Sequence, residues 1–195
     1  MEVMDTSLIA LCGPQQVGKT TAAKSLAKHH GYKRVSFADP LYEMVAALLN
    51  ISTKKLRSMD KEKPLGALNG RSIRHSLQTL GTEWGREHMD HNLWRDTCIA
   101  RVQKYIDKGH RVVVDDCRFT NEYEALAGIG AKIIRLHRSE DGPAQSNPAH
   151  GSEKDWTSFK VDAVVENRSG TPSGWDEFAG TKILAAIKTP AKAAS

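Results

Sequence analysis

Gly13-Pro14-Gln15-Gln16-Val17-Gly18-Lys19-Thr20 sets two glycines, a lysine and a hydroxyl residue in the spacing G-x-x-x-x-G-K-[ST], the pattern of a loop that wraps phosphate groups. Glycine lets consecutive backbone N–H groups turn toward phosphate oxygens, and a helix starting there adds positive potential. In this pattern Lys19 bridges the β- and γ-phosphates of ATP and Thr20 ligates Mg²⁺. The expected ATP contacts are Gly13, Gln15, Gln16, Val17, Gly18, Lys19, Thr20 and Thr21. Asp115 and Asp116 follow Val112-Val113-Val114, where a carboxylate at a strand end can hold Mg²⁺ beside the phosphates. Asp116 is taken with Thr20 for that role, although spacing does not separate it from Asp115.

The sequence contains no guanine-reading Asn-Lys-x-Asp, which ranks a GTPase switch behind a phosphoryl transferase. A transferase needs cations for its acceptor and for the migrating charge. Arg71, Arg74, Arg86, Arg118 and Arg138 are the candidates, and a solvated face explains any single one of them as well. His88-Met89-Asp90-His91 imitates a metal set only superficially and reads as a solvated turn. Cys117 reads as a small buried residue rather than a reactive thiol.

These residues need elements to position them. Leu8-Ile9-Ala10-Leu11-Cys12 is an apolar run typical of a strand buried on both faces, and residues 20–30 follow as a helix closed by Gly31. A strand over 33–37 leads to Asp39 as N-cap, Pro40 at the first helical position, and a helix over 41–49. Residues 52–70, charged and interrupted by Pro64, Gly66 and Gly70, suggest an exposed excursion. Ile73, Leu77, Leu80 and Trp84 then draw one helical stripe over 72–86, with Arg74, Gln78, Thr82 and Arg86 along another edge. Trp94, Cys98, Val102 and Ile106 mark a helix over 93–108, and Trp84 and Trp94 are both expected in the core.

Strands follow at 111–115, 132–136 and 163–165. A helix capped by Asn121 and Glu124 lies between the first two, and a last helix covers 175–187. Residues 137–151, rich in Gly and Pro, read as a flexible loop, with Ser152 and Asp155 as a further capping pair. Strands alternating with helices imply a parallel three-layer α/β sheet whose ligands sit at the carboxyl ends of the strands.

The 195 residues carry 28 Lys and Arg against 23 Asp and Glu, a net charge of +5 that suits an anionic ligand without demonstrating nucleic-acid binding. With 39% hydrophobic residues, collagenous and wholly disordered chains are excluded. Three widely spaced cysteines suggest neither a disulfide framework nor a zinc site, so a reducing cytoplasm is expected. The start Met1-Glu2-Val3-Met4-Asp5 has no basic leader, and apolar runs such as 44–49 are too short to span a bilayer.

Residues 13–21, Phe37-Ala38-Asp39-Pro40-Leu41, 77–86 (Leu-Gln-Thr-Leu-Gly-Thr-Glu-Trp-Gly-Arg), Asp116-Cys117-Arg118-Phe119-Thr120-Asn121-Glu122 and His150-Gly151-Ser152-Glu153 resemble, in order and spacing, the bacteriophage deoxynucleoside monophosphate kinase family. The likeness extends to Asn167. It implies a P-loop NTPase three-layer sandwich with a mainly parallel central sheet, in a single kinase domain over 1–188 with a flexible tail at 189–195. A helical acceptor-binding region at about 41–108 and a mobile lid at about 137–152 belong to that expectation. The implied reaction moves the γ-phosphoryl group of ATP to a deoxynucleoside 5′-monophosphate, with Mg²⁺, giving the diphosphate and ADP.

On this reading Lys19, Asp116 and Arg138 are catalytic, and Arg138 closes with the lid. Asp39, Arg74, Gln78, Arg86 and Arg118 bind the acceptor, although capping accounts for Asp39 equally well. Many relatives carry Asp after the loop lysine, where this chain has Thr20, a departure that bears on metal geometry. The expected setting is the cytoplasm of a bacterial host, with no membrane and no stable nucleic-acid partner, and with monomer or homodimer left open. Two alternatives stand beside it: a kinase for another small acceptor such as dephospho-coenzyme A, and an ATP-responsive DNA-binding protein without transferase activity.

Overall fold

The computed structural model describes residues 6–138, 155–167 and 172–188. The expected lid beyond Arg138, the expected Ser152 cap and the expected tail at 189–195 lie outside the described residues. The chain divides into two compact units, Met1–Ser36 with Ile99–Ser195, and Phe37–Cys98.

In the first unit five parallel strands form one sheet in the order β2-β5-β1-β6-β7. They are β1 (Leu8–Cys12), β2 (Tyr32–Val35), β5 (Arg111–Val114), β6 (Lys132–Arg138) and β7 (Ala163–Asn167). Ile9, Leu11, Val113, Ile134 and Leu136 pack in one cluster with Leu26 of α1 (Lys19–His30) and with Trp175, Ala179 and Ile183 of α7 (Pro172–Lys188). Strand alternation sends Leu8, Ala10, Val112, Val114 and Ile133 to the opposite face, and these are buried too. Burial on both faces is the reason β1 and β5 read as continuous apolar runs.

α1 and α7 approach closely, for the Gly180 N–H donates to Ser25 Oγ at 3.1 Å and a β-carbon there would stand 2.7 Å from the His30 ring. Gly31 ends α1 as expected, with φ 70° and its N–H bonded to the Leu26 carbonyl. β2 stops at Val35, so Phe37 is buried but lies beyond the strand. The cap of α6 (Thr120–Gly128) differs from expectation. Buried Glu122, not Glu124, reaches back to accept from the N–H groups of Arg118 (3.0 Å) and Phe119 (3.2 Å).

The second unit contains α2 (Asp39–Leu48), α3 (Thr53–Ser58), the two-residue antiparallel strands β3 (Pro64–Leu65) and β4 (Arg71–Ser72), and α4 (Ile73–Thr79). It ends within α5 (Leu93–Ile106). Three expectations are amended here, one of them only in part. Ala38 is the N-cap of α2 and Asp39 its first residue, with no side-chain capping bond. The stretch 52–70 is exposed at most positions, as expected, but it carries structure: Ser52 caps α3 by accepting from the Lys55 N–H at 3.2 Å, and Leu56 is fully buried with Tyr42, Val45, Ala46 and Ile73.

The third concerns the long helix. α4 gives way to a π-helical segment, Leu80–Met89, whose wider turn breaks the i, i+4 stripe. Ile73 stays in the core while Trp84 is 37% exposed, tilted against Trp94 with ring centroids 6.1 Å apart. Trp94 is buried as expected, its indole N–H bonded to the Gly81 carbonyl at 2.8 Å, and any side chain at Gly85 would overlap its ring. His88 and Met89 belong to this segment, and His88 to His91 are all exposed. Among the described residues no helix is long and apolar enough to cross a membrane.

Candidate active site

β2 and β5 lie on one side of β1 and β6 and β7 on the other, so the chain leaves Cys12 at the point where the sheet changes winding direction. The loop that follows needs left-handed backbone at Gly13 (φ 128°), Gln16 (φ 59°) and Gly18 (φ 99°). Lys19 is only 7% exposed, and its ammonium donates to the carbonyls of Gly13 at 2.6 Å and Pro14 at 2.5 Å. The next carbonyls are held from distant elements. Arg138, the last residue of β6, donates to Gln16 O at 3.2 Å, Asn167 Nδ2 to Val17 O at 3.0 Å, and Trp175 Nε1 to Gly18 O at 3.1 Å.

The two aspartates have different neighbours. Asp115 is buried, with Oδ2 paired to Arg34 Nε at 2.8 Å, while Asp116 Oδ2 accepts from Ser36 Oγ at 2.5 Å. Burial first, then the adjacent Asp116 charge, pushes the Asp115 carboxyl above its ordinary pKa, against the pull of Arg34 and the Thr20 hydroxyl. Its Oδ1 is buried and has no well-formed hydrogen bond among the described residues. A buried carboxylate oxygen of this kind, near a threonine hydroxyl, is chemically suited to a hard divalent cation. Thr20 itself is exposed at the start of α1.

The expected acceptor residues are distributed over both units. Arg118 lies in the β5–α6 connection of the first unit. In the second, Asp39 pairs with Arg57 at 2.6 Å, and the Arg57 guanidinium stacks 3.8 Å from the Tyr42 ring centroid. Arg74 forms an exposed ion pair with Glu62, Gln78 is exposed beside it on α4, and Arg86 is half-buried in the π-helical segment. Arg74 on α4 and Arg86 in the π-helical segment therefore differ in exposure.

Arg34, Ser36, Asn167, Trp175 and Arg57 were not singled out from sequence. Ser36 just after β2 and Asn167 at the end of β7 carry the strand-end signal that pointed to Asp115 and Asp116. Nothing in the sequence marked Trp175 or Arg57.

A parallel sheet flanked by helices, with a phosphate-loop sequence leaving its central strand, defines the P-loop kinase class of α/β fold. Dephospho-CoA kinase from Campylobacter jejuni has a similar fold, with TM-score 0.52 over 93% of this chain and 96% of its own, at 16% identity. The deoxynucleotide monophosphate kinase family pattern matches residues 55–171. A protein of Acanthamoeba polyphaga mimivirus named "Putative deoxynucleotide monophosphate kinase" is 32% identical over 178 residues, 82% of this chain and 88% of that protein. The chain belongs to the deoxynucleotide monophosphate kinase family and is a nucleotide kinase, a phosphotransferase. The family match begins downstream of the phosphate loop, so the nucleotide-binding motif and the family match come from different parts of the chain.

Proposed function

We propose that the enzyme transfers the γ-phosphoryl group of ATP to the 5′-phosphate of a deoxynucleoside monophosphate. The γ-phosphorus–oxygen bond to the β-phosphate breaks, a new bond forms to an acceptor phosphate oxygen, and ADP leaves. The observation that carries this reading is the Lys19 ammonium, held inside the loop by the Gly13 and Pro14 carbonyls at the end of the central strand. A cation kept there by two neutral carbonyls can exchange them for phosphate oxygens, and its charge then meets the charge that spreads over the migrating group.

Thr20 and Asp115 are the pair proposed for Mg²⁺, with Asp116 alongside, because Asp115 offers the buried acceptor oxygen while Asp116 is engaged by Ser36. Bound Mg²⁺ would neutralise phosphate charge. Arg74, Gln78, Arg86, Arg118 and Asp39 are proposed to bind the acceptor, and Arg138 to face the transferred group. The mimivirus relative is compatible with a virus-encoded enzyme, and the three buried free cysteines with a reducing cytoplasm.

A coupled assay of ADP release over a panel of deoxynucleoside and ribonucleoside monophosphates, with dephospho-coenzyme A and DNA as further additions, tests the reading. Acceptor-dependent ADP release with one or more deoxynucleotides is expected. Turnover only with dephospho-coenzyme A or only with DNA overturns it.

A further inference from the structure

Asn167 and Trp175 stand 150 and 157 residues from the loop carbonyls they contact, one at the end of β7 and the other on α7, and both are buried. They converge on one glycine: a β-carbon at Gly18 would lie 2.6 Å from Trp175 Nε1 and 3.0 Å from Asn167 Nδ2. Gly18 is thus required both by its left-handed φ and by the two donors packed against it.

A trans peptide points its N–H opposite to its C=O. Fixing the carbonyls of Val17 and Gly18 therefore fixes where the N–H groups of Gly18 and Lys19 point, away from Asn167 and Trp175. We propose that Asn167 and Trp175 are positioning residues for the triphosphate: they orient two peptide planes of the loop so that their N–H groups are aimed before the nucleotide arrives. This rests on the reading of residues 13–20 as the ATP phosphate loop. It adds that the C-terminal elements of the chain set the affinity of that loop.

The two donors are unequal. Gly18 O also accepts the Ala22 N–H at 2.9 Å, the opening bond of α1, so it keeps a partner when the indole N–H is removed. Val17 is buried, so truncating Asn167 removes the donor to its carbonyl in a place water reaches poorly. Asn167 is accordingly the stronger of the pair.

The test uses the full chain and inorganic tripolyphosphate, titrated by calorimetry into wild type, Asn167→Ala and Trp175→Phe, with thermal unfolding and steady-state kinetics alongside. Tripolyphosphate affinity should fall about three- to tenfold in Asn167→Ala and about twofold in Trp175→Phe, the range expected from one net hydrogen bond. The KM for ATP should rise by similar factors, while the KM for the acceptor stays at the wild-type value. A lowered unfolding temperature with unchanged tripolyphosphate affinity would mean that the contacts only hold the fold together, and it overturns the proposal. Should Asn167→Ala not fold, Trp175→Phe, which keeps the buried ring, decides by the same readouts. Wild type that does not bind tripolyphosphate removes the phosphate-loop reading itself, whereas binding that both variants preserve removes only the positioning role.

Discussion

The phosphate loop of the sheet unit and the Arg74 end of α4 in the Phe37–Cys98 unit treat charge in opposite ways. In the first, Lys19 and Asp115 are buried and bound to carbonyls or to Arg34, on a loop whose own carbonyls are held by side chains from β6, β7 and α7. In the second, the side chains of Arg74 and Glu62 are 51% and 64% exposed in their ion pair. An exposed pair contributes about 0–1 kcal/mol, so a phosphate can replace the glutamate at little cost. A buried charge gives up its partners only when a ligand replaces them, as phosphate oxygens would replace the carbonyls at Lys19. On the proposed reading the donor half is therefore largely set in advance, and Arg74 in the acceptor half exchanges its partner easily.

The largest effect that this contrast predicts is at Lys19. Lys19→Ala should lower kcat/KM by about a thousandfold or more, since it removes charge that acts on the transferred group. Circular dichroism should remain that of the wild type. Near-normal turnover would place the chemistry elsewhere and dissolve the comparison.

Asp115→Asn comes next, with activity reduced about a hundredfold in a coupled ADP assay if Asp115 holds the metal. Stability should move the other way. The folded protein raises the Asp115 pKa, so it binds that proton more tightly than the unfolded chain does, and the ionised form is a load at neutral pH. The variant should unfold at or above the wild-type temperature near neutral pH, and this advantage should shrink as pH falls through the raised pKa toward the carboxylate range. A variant less stable at neutral pH and equal in acid reverses the sign and refutes the account.

Leu56→Ala sharpens the comparison from the other side. Although its Arg74–Glu62 pair is exposed, the Phe37–Cys98 unit has a core of its own, and truncating the fully buried Leu56 should cost about 2–5 kcal/mol by urea unfolding. A loss under about 0.5 kcal/mol, the ordinary size of a surface substitution, would restore the picture of residues 52–70 as a loose excursion.

Smallest is the effect of Arg74→Gln, for which an acceptor KM raised several-fold with unchanged ATP KM is expected. Arg86→Gln should act more strongly, because half-buried Arg86 has less water to compensate for a lost partner. Equal shifts in the ATP KM would show that these arginines do not separate acceptor from donor.

The parts of this protein legible from residues alone are those governed by local spacing. G-x-x-x-x-G-K-T constrains the backbone over eight positions, and apolar runs such as 8–12 and 112–114 can be satisfied only inside a sheet covered on both faces. The donor loop, its strand, the carboxylates after β5 and the helix ended by Gly31 follow from these rules. The residues proposed for the acceptor rest on type and spacing, which do not fix their geometry. A stripe of intervals four, three and four presumes 3.6 residues per turn, and the π-helical turn at Leu80–Met89 rotates Trp84 outward. Asp39 satisfies every local rule for an N-cap, yet Arg57, eighteen residues on, takes its carboxylate.

Only the tertiary structure decided which side chains hold the loop. Asn167 and Trp175 reach Val17 and Gly18 because the sheet order sets β6 and β7 on the far side of β1 from β2 and β5, while α7 packs on α1. Separations of 150 and 157 residues leave no periodic trace in the chain. Spacing along a sequence encodes what one element can do with its own backbone; which partner fills a hydrogen bond across the sheet depends on strand order and helix packing, which are settled only when the whole core closes.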